Sequence, residues 1–192
     1  MNADAIQRVT AALRGRLGEA IADPAAVYSG PLDDAAVQNA ALVLYLHRVA
    51  PNAGLRNREH LVASDNPPPA VIAYRDALPL DLHYVIAIGK RAGNPEALQG
   101  LLGLALQRLQ AEPEIGGAPV GHEPVRLSME PLSTEELGRI WALFPAVNYR
   151  TSVAYVATPV WIDPKTPPLA AERVREDRLD AGALAGEEAA RP

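Results

Sequence analysis

The chain has 192 residues, and its 18 basic against 23 acidic side chains give a formal net charge of −5. An acidic balance argues against a general nucleic-acid binder, because such a protein presents a basic face to phosphates. Cysteine is absent, which excludes disulfides, thiolate metal sites and a cysteine nucleophile. The length favours one domain with a buried core and, at most, a short appendage.

The N-terminal segment predicts an amphipathic helix. Apolar residues recur there at three- and four-residue steps, at Ile6, Val9, Leu13 and Leu17. Pro24 is expected to end the helix. The segment lacks the basic stretch and apolar run of a secretory signal. No apolar window approaches the ~20 residues that a membrane-spanning helix needs, so we expect cytoplasmic synthesis.

Five segments have the apolar or alternating pattern of strands. They are a short segment around Val27 and Tyr28, Ala40–Ala50, Leu78–Gly89, Val125–Glu130 and Tyr149–Ile162. The second is apolar on both faces, which predicts a well-buried strand. Pro159 predicts an edge or a bulge near the end of the last strand. The stretch from Pro51 to Leu78 predicts mostly loop, because it contains consecutive prolines and several turn-forming residues.

Two further helices have clear start signals. Asn94-Pro95-Glu96 combines a side-chain cap, a proline at the first helical position and a carboxylate near the positive end of the helix dipole. Ser133 and Glu136 have the spacing of a capping box, in a short helix expected to run to about residue 144. The order of elements predicts an α+β (mixed α/β) domain over residues 1–163, with a central mixed β-sheet flanked by helices.

The composition changes after Asp163. Residues 164–192 contain no aromatic side chain, prolines cluster near their start and charges crowd the middle. This Pro- and charge-rich segment is predicted to be a C-terminal tail that cannot build a core of its own. A short helix over Ala170–Leu179 is an open alternative, because good helix formers fill that stretch.

The histidines are the main candidates for chemistry: His47, His60, His83 and His122. No two of them are four residues apart, so a helical zinc pair is excluded. His47 and His83 could face each other across a sheet, and Asp81 shares a face with His83, which would allow a carboxylate–imidazole pair. The favoured interpretation is interior or edge residues satisfied by hydrogen bonds.

Motifs for nucleotide and hydrolase chemistry are incomplete. The chain has no Gly-x-Ser-x-Gly, and Gly89-Lys90-Arg91 lacks both the first glycine and the Ser/Thr of a phosphate-binding loop. The basic pair is interpreted as a solvent-exposed turn. The sequence therefore predicts no catalytic residue, no cofactor site and no metal site.

A polar loop follows the apolar strand directly. Its sequence, Pro51-Asn52-Ala53-Gly54-Leu55-Arg56-Asn57-Arg58, indicates a tight turn that presents guanidinium groups. Two interpretations stay open. One is a simple turn with solvent-facing arginines, and the other is a docking loop for another chain, since loops and arginine are both favoured at interfaces.

Several segments, in this order, resemble one known family: LYLHRVAPNAGLRN, LPLDLHYVIAIG, LGLALQRLQAEP, VRLSMEPLSTEELGRIWALF and YRTSVAYVATPVWI. The residues that carry the resemblance are Tyr45, Pro51-Asn52, Leu55-Arg56-Asn57, Asp81-Leu82-His83-Tyr84, Pro131-Leu132-Ser133, Glu136-Leu137, Trp141, Tyr149-Arg150 and Tyr155. Residues 1–163 are similar to the N-terminal domain family of tail-cap, or tail-terminator, proteins of contractile injection systems, of the virulence-cassette and antifeeding-prophage type.

The resemblance implies a structural role and no reaction. It implies a tail-terminator-like fold and a hexameric ring that ends the inner tube and anchors the last sheath layer, at the end distal to the baseplate. The expected partners are other copies of the chain, the sheath protein and the inner tube protein, with no nucleic acid and no membrane insertion. Assembly is expected in the cytoplasm, with release inside extracellular particles as a further option.

The interface hypothesis covers the polar loop and the start of the last strand. Its residues are Asn52, Leu55, Arg56, Asn57, Arg58, Tyr149 and Arg150. The strand Tyr149–Ile162 and the tail are further candidate contact surfaces. Trp141 and Tyr155 are interpreted as core aromatics, because buried aromatic side chains carry a large apolar area.

Two other functions stay open at this point. The first is a small monomeric adaptor that binds one partner through its C-terminal tail. The second is an enzyme that uses His83 with Asp81 or His47.

Overall fold

The computed structural model describes residues 3–64, 70–91, 94–117, 120, 123–165 and 169–171. Numbered along the chain, its strands are β1 (Val27–Ser29), β2 (Leu42–Pro51), β3 (His60–Ser64), β4 (Ala70–Tyr74), β5 (Leu78–Ile88), β6 (Glu114–Ile115), β7 (Val125–Glu130), β8 (Ser152–Ile162) and β9 (Leu169–Ala171). Its α-helices are α1 (Ala5–Ala20), α2 (Pro95–Ala111) and α3 (Thr134–Trp141).

A six-stranded sheet forms the centre of the molecule, in the order β1-β2-β5-β8-β7-β6. β1 pairs with β2 in parallel, and all other neighbours in this sheet are antiparallel. The two longest strands, β5 and β8, lie in the middle and bring together segments that are distant in the sequence. The predicted fold, a mixed sheet flanked by helices, is confirmed.

Apolar clusters cover both faces of this sheet. Alternation along β5 places Leu82 and Tyr84 on one face, where they pack with buried residues of α1 and α2. Val85 and Ala87 point to the other face and pack with the aromatic end of α3. Tyr155 and Trp141 are 3% and 4% exposed, which confirms their interpretation as core aromatics.

The predicted helix starts are confirmed. The backbone N–H of Glu96 donates to Asn94 Oδ1 at 3.0 Å. In the capping box, the backbone N–H of Glu136 donates to Ser133 Oγ at 3.2 Å, and the backbone N–H of Ser133 donates to the Glu136 carboxylate at 2.8 Å. This backbone bond is the main reason that the pKa of Glu136 lies below its ordinary value. The third helix ends at Trp141, three residues before its predicted end.

The prediction of mostly loop from Pro51 to Leu78 is wrong. β3 and β4 form an antiparallel hairpin in which His60 lies opposite Tyr74. β9 pairs with the other side of β4 and completes a second, three-stranded sheet. The three prolines fall between β3 and β4 in the sequence, so neither strand loses a backbone donor to them.

The start of the C-terminal tail contributes to this second sheet. Ala170 and Ala171 belong to β9 and not to the helix considered for Ala170–Leu179. The rest of that segment lies outside the described residues, as does residue 122, one of the histidines considered above.

Strand β2 is buried only in its first half. Leu42–Leu44 are fully buried, whereas Val49 is 44% exposed. β1 pairs with Leu42–Leu44 alone, and no other described strand lies on the outer side of β2. The prediction of a well-buried strand therefore holds for its first half.

The predicted irregularity at Pro159 is confirmed. Leu80 lies opposite Val160 and Leu82 opposite Ala157, so two residues of β8 share the place opposite Asp81. The peptide bond before Pro159 is cis.

Candidate functional site

The polar loop is anchored from inside by Asn52. Its side-chain nitrogen donates to Asp81 Oδ1 at 2.9 Å and lies 3.1 Å from Thr158 Oγ1, while its side-chain oxygen accepts from the backbone N–H of Leu55 at 3.0 Å. Thr158 also donates to Asp81, so one polar cluster joins the loop to β5 and β8. Asn52 therefore holds the loop in shape.

The outer part of the loop faces solvent. Arg56, Asn57 and Arg58 are exposed, and Leu55 is half-buried beneath them. A backbone bond from Arg58 N–H to the Leu55 carbonyl, at 2.9 Å, closes the turn. The loop thus presents two guanidinium groups from a fixed backbone, as the sequence predicts.

Tyr149 and Arg150 lie around the ring of Trp141. Tyr149 is 55% exposed, with its ring centroid 5.5 Å from that of Trp141. Arg150 points inward, with its Cζ 5.2 Å from the centroid of the Trp141 ring. It donates to the carbonyls of Leu32 at 3.0 Å and Ile88 at 3.2 Å, and burial lowers the pKa of its guanidinium.

The two parts of the predicted interface lie at opposite ends of β5. Asn52 is bonded to Asp81 near one end, and Arg150 is bonded to the carbonyl of Ile88 at the other. Seven residues of extended strand separate these points, and a strand rises ~3.3 Å per residue, so they lie about 23 Å apart. The candidate residues form two separate surfaces, the loop and the exposed Tyr149.

His83 is part of a closed hydrogen-bonded chain. Arg48 Nη2 lies 3.1 Å from His83 Nε2, and Glu130 Oε2 lies 2.9 Å from His83 Nδ1. Arginine only donates and a carboxylate only accepts, so a neutral ring with its proton on Nδ1 satisfies both contacts. The carboxylate partner of His83 is thus Glu130. Asp81, which the enzyme hypothesis pairs with it, is bonded to Asn52 and Thr158 instead.

His47 lies beside this chain, with ring centroids of His47 and His83 6.1 Å apart. Burial is the main factor that lowers the pKa of His47, and the neighbouring His83 adds to it. The buried Nε2 of His47 has no hydrogen-bond partner among the described residues. The interpretation as residues satisfied by hydrogen bonds therefore fits His83, but it does not fit Nε2 of the half-buried His47.

The most highly charged buried cluster surrounds His60, which is 4% exposed. Its Nδ1 lies 2.6 Å from Asp163 Oδ1 and its Nε2 lies 2.5 Å from Glu123 Oε1. The ring stacks on Trp161, with centroids 4.6 Å apart, and on Tyr74 at 6.0 Å. Burial opposes protonation, but the hydrogen bonds that the ring donates to both carboxylates outweigh it and raise the pKa of His60.

This cluster joins the two sheets. His60 and Tyr74 belong to the small sheet, whereas Trp161 belongs to β8 and Asp163 directly follows that strand. A cavity of about 210 Å³ adjoins it, lined in part by Arg8, Val9, Val62 and Glu123. Both ring nitrogens already face carboxylates, so His60 forms ion pairs that hold the two sheets together. We call His60, Asp163 and Glu123 the His60 clip. Sequence reasoning missed it, because its partners are 63 and 103 residues away.

Among the residues that the structure describes, no group of three or more histidine, cysteine or carboxylate side chains could hold a metal ion. None of the described helices is both long and apolar enough to cross a bilayer.

The turn after β5 does not offer a phosphate cradle. The backbone N–H groups of Gly89, Lys90 and Arg91 donate to carbonyls of the segment 37–41, at 2.7, 3.1 and 3.0 Å. A Cβ on Gly89 would lie 1.9 Å from the carbonyl oxygen of Ala40, so this close packing requires glycine. Gly89 is therefore explained by its close packing against residues 40–41.

Two solved structures share the fold. The sheath/tube terminator of the extracellular contractile injection system PVC, in its extended state, matches with a TM-score of 0.60 over 96% of this chain and 67% of that chain, at 16% sequence identity. The tube-terminating cap of the anti-feeding prophage AFP matches with a TM-score of 0.59 over 89% of this chain and 59% of that chain, at 18% identity. A search of curated proteins returned no match.

The sequence itself matches a family model along most of its length. The match spans residues 8–176 and includes both the main sheet and the second one. It confirms the resemblance drawn from the motifs. The chain belongs to the Pvc16 N-terminal domain family.

Proposed function

We propose that this chain is a structural terminator of a contractile injection particle, a ring-forming protein that ends the inner tube and anchors the last sheath layer. The observation that supports this best is the family match over residues 8–176, joined to a fold shared with a sheath/tube terminator. Its partners would be further copies of itself, the tube protein and the sheath protein. The particle would be assembled in the cytoplasm and would carry the chain when released.

A terminator has a clear physical task. A growing tube or sheath exposes a ring of binding surfaces, and an uncovered strand edge recruits further strands. The cap must bind that last layer on one side and offer no matching surface on the other. In a ring every contact is repeated, so modest interfaces add up to strong binding.

The exposed loop and Tyr149 are the proposed contact points with neighbouring proteins. Arg56 and Arg58 extend from a backbone that Asn52 fixes, which reduces the entropy lost on binding. Tyr149 is an exposed aromatic supported by the ring of Trp141. Arginine and tyrosine are both enriched at protein interfaces.

The role proposed here involves no reaction. His83 is 6% exposed and both its ring nitrogens are engaged, so the residue is best explained as part of the β2–β5–β7 contact. His83→Gln should leave particle length unchanged. A loss of particle function with normal length and normal chain content would support the enzyme alternative instead.

Deletion of the gene tests the proposed function directly. Without the terminator, electron microscopy should show tubes or sheaths of uncontrolled length, or particles that fall apart. Restoring the full chain should restore a narrow length distribution. Normal particles in the deletion strain would contradict the proposal, and a strict monomer by light scattering, even with tube and sheath present, would favour the adaptor alternative.

Charge reversal tests the loop. The double variant Arg56→Glu, Arg58→Glu should lower retention of the chain on purified particles by about tenfold or more, because it puts like charges against a surface that accepts arginine. Arg14→Glu is the matched control, because Arg14 is exposed on α1, away from the loop. Equal retention of both variants would rule out the loop as a contact.

A further inference from the structure

Both edges of the main sheet are partly bare. β1 pairs only with Leu42–Leu44 of β2, and β6 pairs only with Val125 and Arg126 of β7. The backbone N–H of Leu127 donates to the carbonyl of Pro113. In the part of the chain that is described, no strand covers the outer side of residues 46–51 of β2 or 128–130 of β7.

The two bare stretches lie in the same rows of the sheet. One row runs from Leu46 through Tyr84 and Tyr155 to Met129. Three strand spacings separate its ends in the order β2-β5-β8-β7, which amounts to about 14 Å at ~4.8 Å per spacing. Because each pairing along the row is antiparallel, β2 and β7 run in opposite directions.

Each bare stretch carries an exposed apolar side chain on the same face. Val49 is 44% exposed and lies opposite Leu82, while Met129 is 54% exposed and lies opposite Tyr155. Leu82 and Tyr155 both belong to the apolar cluster under α1 and α2. Val49 and Met129 are therefore the two ends of one apolar layer that the subunit leaves uncovered.

The charges beside the two edges are opposite. Residues 46–59 contain three arginines and one acidic side chain, whereas residues 127–139 contain three glutamates and one arginine. The arginine-rich stretch comprises the outer half of β2 and the polar loop after it. The glutamate-rich stretch comprises the end of β7 and the start of α3. A second copy therefore offers each edge a partner of complementary charge.

We propose that β2 of one subunit pairs with β7 of the next copy, so that the six-stranded sheet continues across the subunit boundary. This rests on the proposed ring-forming function and identifies the surfaces that form the ring. A neighbour related by rotation about an axis along the strands brings the two edges together antiparallel. The contact is head-to-tail, so each subunit uses each edge once and a closed ring leaves neither edge bare.

Paired cysteines test the contact in a chain that has none of its own. Met129→Cys is combined in turn with cysteine at Leu46, Val49 or Pro51, which lie opposite Tyr84, Leu82 and Leu80 and so share the face of Met129. This series spans the registers that keep both thiols on one face of the sheet. Within one subunit the two edges are about 14 Å apart, and a disulfide requires Cα atoms within ~7 Å, so any crosslink joins two subunits. Oxidation of purified protein and of assembled particles should give a ladder of subunit multiples on a non-reducing gel.

The control is Val49→Cys with Leu104→Cys, because Leu104 is 47% exposed but lies on α2 and belongs to neither edge strand. The control pair should stay at the mass of one subunit. Absence of a ladder at every register, in protein and in particles, would overturn the proposal.

Lysine at the edges gives a second, independent test. Val49 and Met129 are exposed in the single subunit, so the variants Val49→Lys and Met129→Lys should fold as before. Pairing with the neighbouring strand would bury the lysine ammonium, which opposes the contact. Each should lower retention on particles by about tenfold or more, and Leu104→Lys should not. Unchanged retention of both edge variants would contradict the strand pairing.

The two proposals fail in different ways. Loss of length control on gene deletion, without any crosslink between edges, would leave the terminator function standing and the sheet contact wrong. Crosslinked rings of the cysteine variants, together with normal particles in the deletion strain, would give the opposite result. The sheet contact would then stand and the terminator function would be wrong.

Discussion

At the scale of single residues, Arg150 stabilises the fold through internal contacts more than it offers a surface to other proteins. The resemblance makes it an interface candidate, yet its guanidinium lies over Trp141 and donates to two backbone carbonyls on different segments. Those carbonyls belong to Leu32 and Ile88, 118 and 62 residues away in the sequence. The residue joins the end of β5 to the segment at Leu32 and to Trp141 of α3.

Arg150→Lys should therefore destabilise the fold by about 1–3 kcal/mol. A single ammonium cannot reach both carbonyls and also lie flat on the indole ring, so at least one buried acceptor loses its donor. Urea unfolding followed by tryptophan fluorescence measures the effect. Arg139→Lys is the control, since that side chain is 77% exposed, and a change within about 0.5 kcal/mol is expected there. Equal losses in the two variants would contradict the internal role.

At the scale of elements, the His60 clip determines how the small sheet is attached. Asp163 and Glu123 hold the imidazolium from two sides, and Trp161 covers its face. Folding raises the pKa of His60. The ion pairs of His60 therefore contribute fully to the free energy of unfolding below the unfolded pKa of about 6.5. The contribution is lost as pH rises through the higher pKa of the folded state.

His60→Gln should remove this pH dependence. The difference in free energy of unfolding between wild type and variant should be largest at mildly acidic pH, at about 1.5–3 kcal/mol, since hydrogen bonds to charged groups contribute that much. It should shrink as pH rises past the folded pKa. Urea titrations over a pH series measure it, and a difference that is constant with pH would contradict an imidazolium clip.

The elements show where sequence reasoning succeeds. The caps at Asn94 and Ser133 depend on contacts within three residues, so local pattern predicts them. β3 and β4 are short strands that exist through pairing with each other and, at β4, with β9. Local pattern does not specify such long-range pairing, and flanking prolines point toward loop. The clip at His60 was missed for the same reason.

At the scale of the whole molecule, the main sheet contains its own core on both faces, and the small sheet is an addition held at one end. The fold class and the main strands along the chain were predicted, because each long strand has its own apolar pattern, whereas the order of the strands within the sheet depends on long-range pairing and was not. The separation of the interface candidates into two surfaces was not, because it depends on which end of β5 each one contacts.

A chain that ends after Lys165 should still fold. It keeps the main sheet and Asp163, and it loses only β9 among the described strands. Far-UV circular dichroism and one cooperative thermal transition are the expected signs, with full-length chain as the reference. Loss of the cooperative transition would show that the C-terminal segment belongs to the domain.

The incompletely paired edges of the main sheet also make self-association depend on how much of the subunit is produced. Within the described residues, a newly made subunit leaves part of β2 and part of β7 without a strand neighbour, and surplus copies would meet one another before they meet a particle. Arg48 lies at one edge and Glu130 at the other. Charged side chains on exposed strands commonly oppose unspecific edge-to-edge pairing. Expression matched to particle number would protect the cell further, and overproduction should lead first to soluble oligomers and then, at higher concentration, to precipitation.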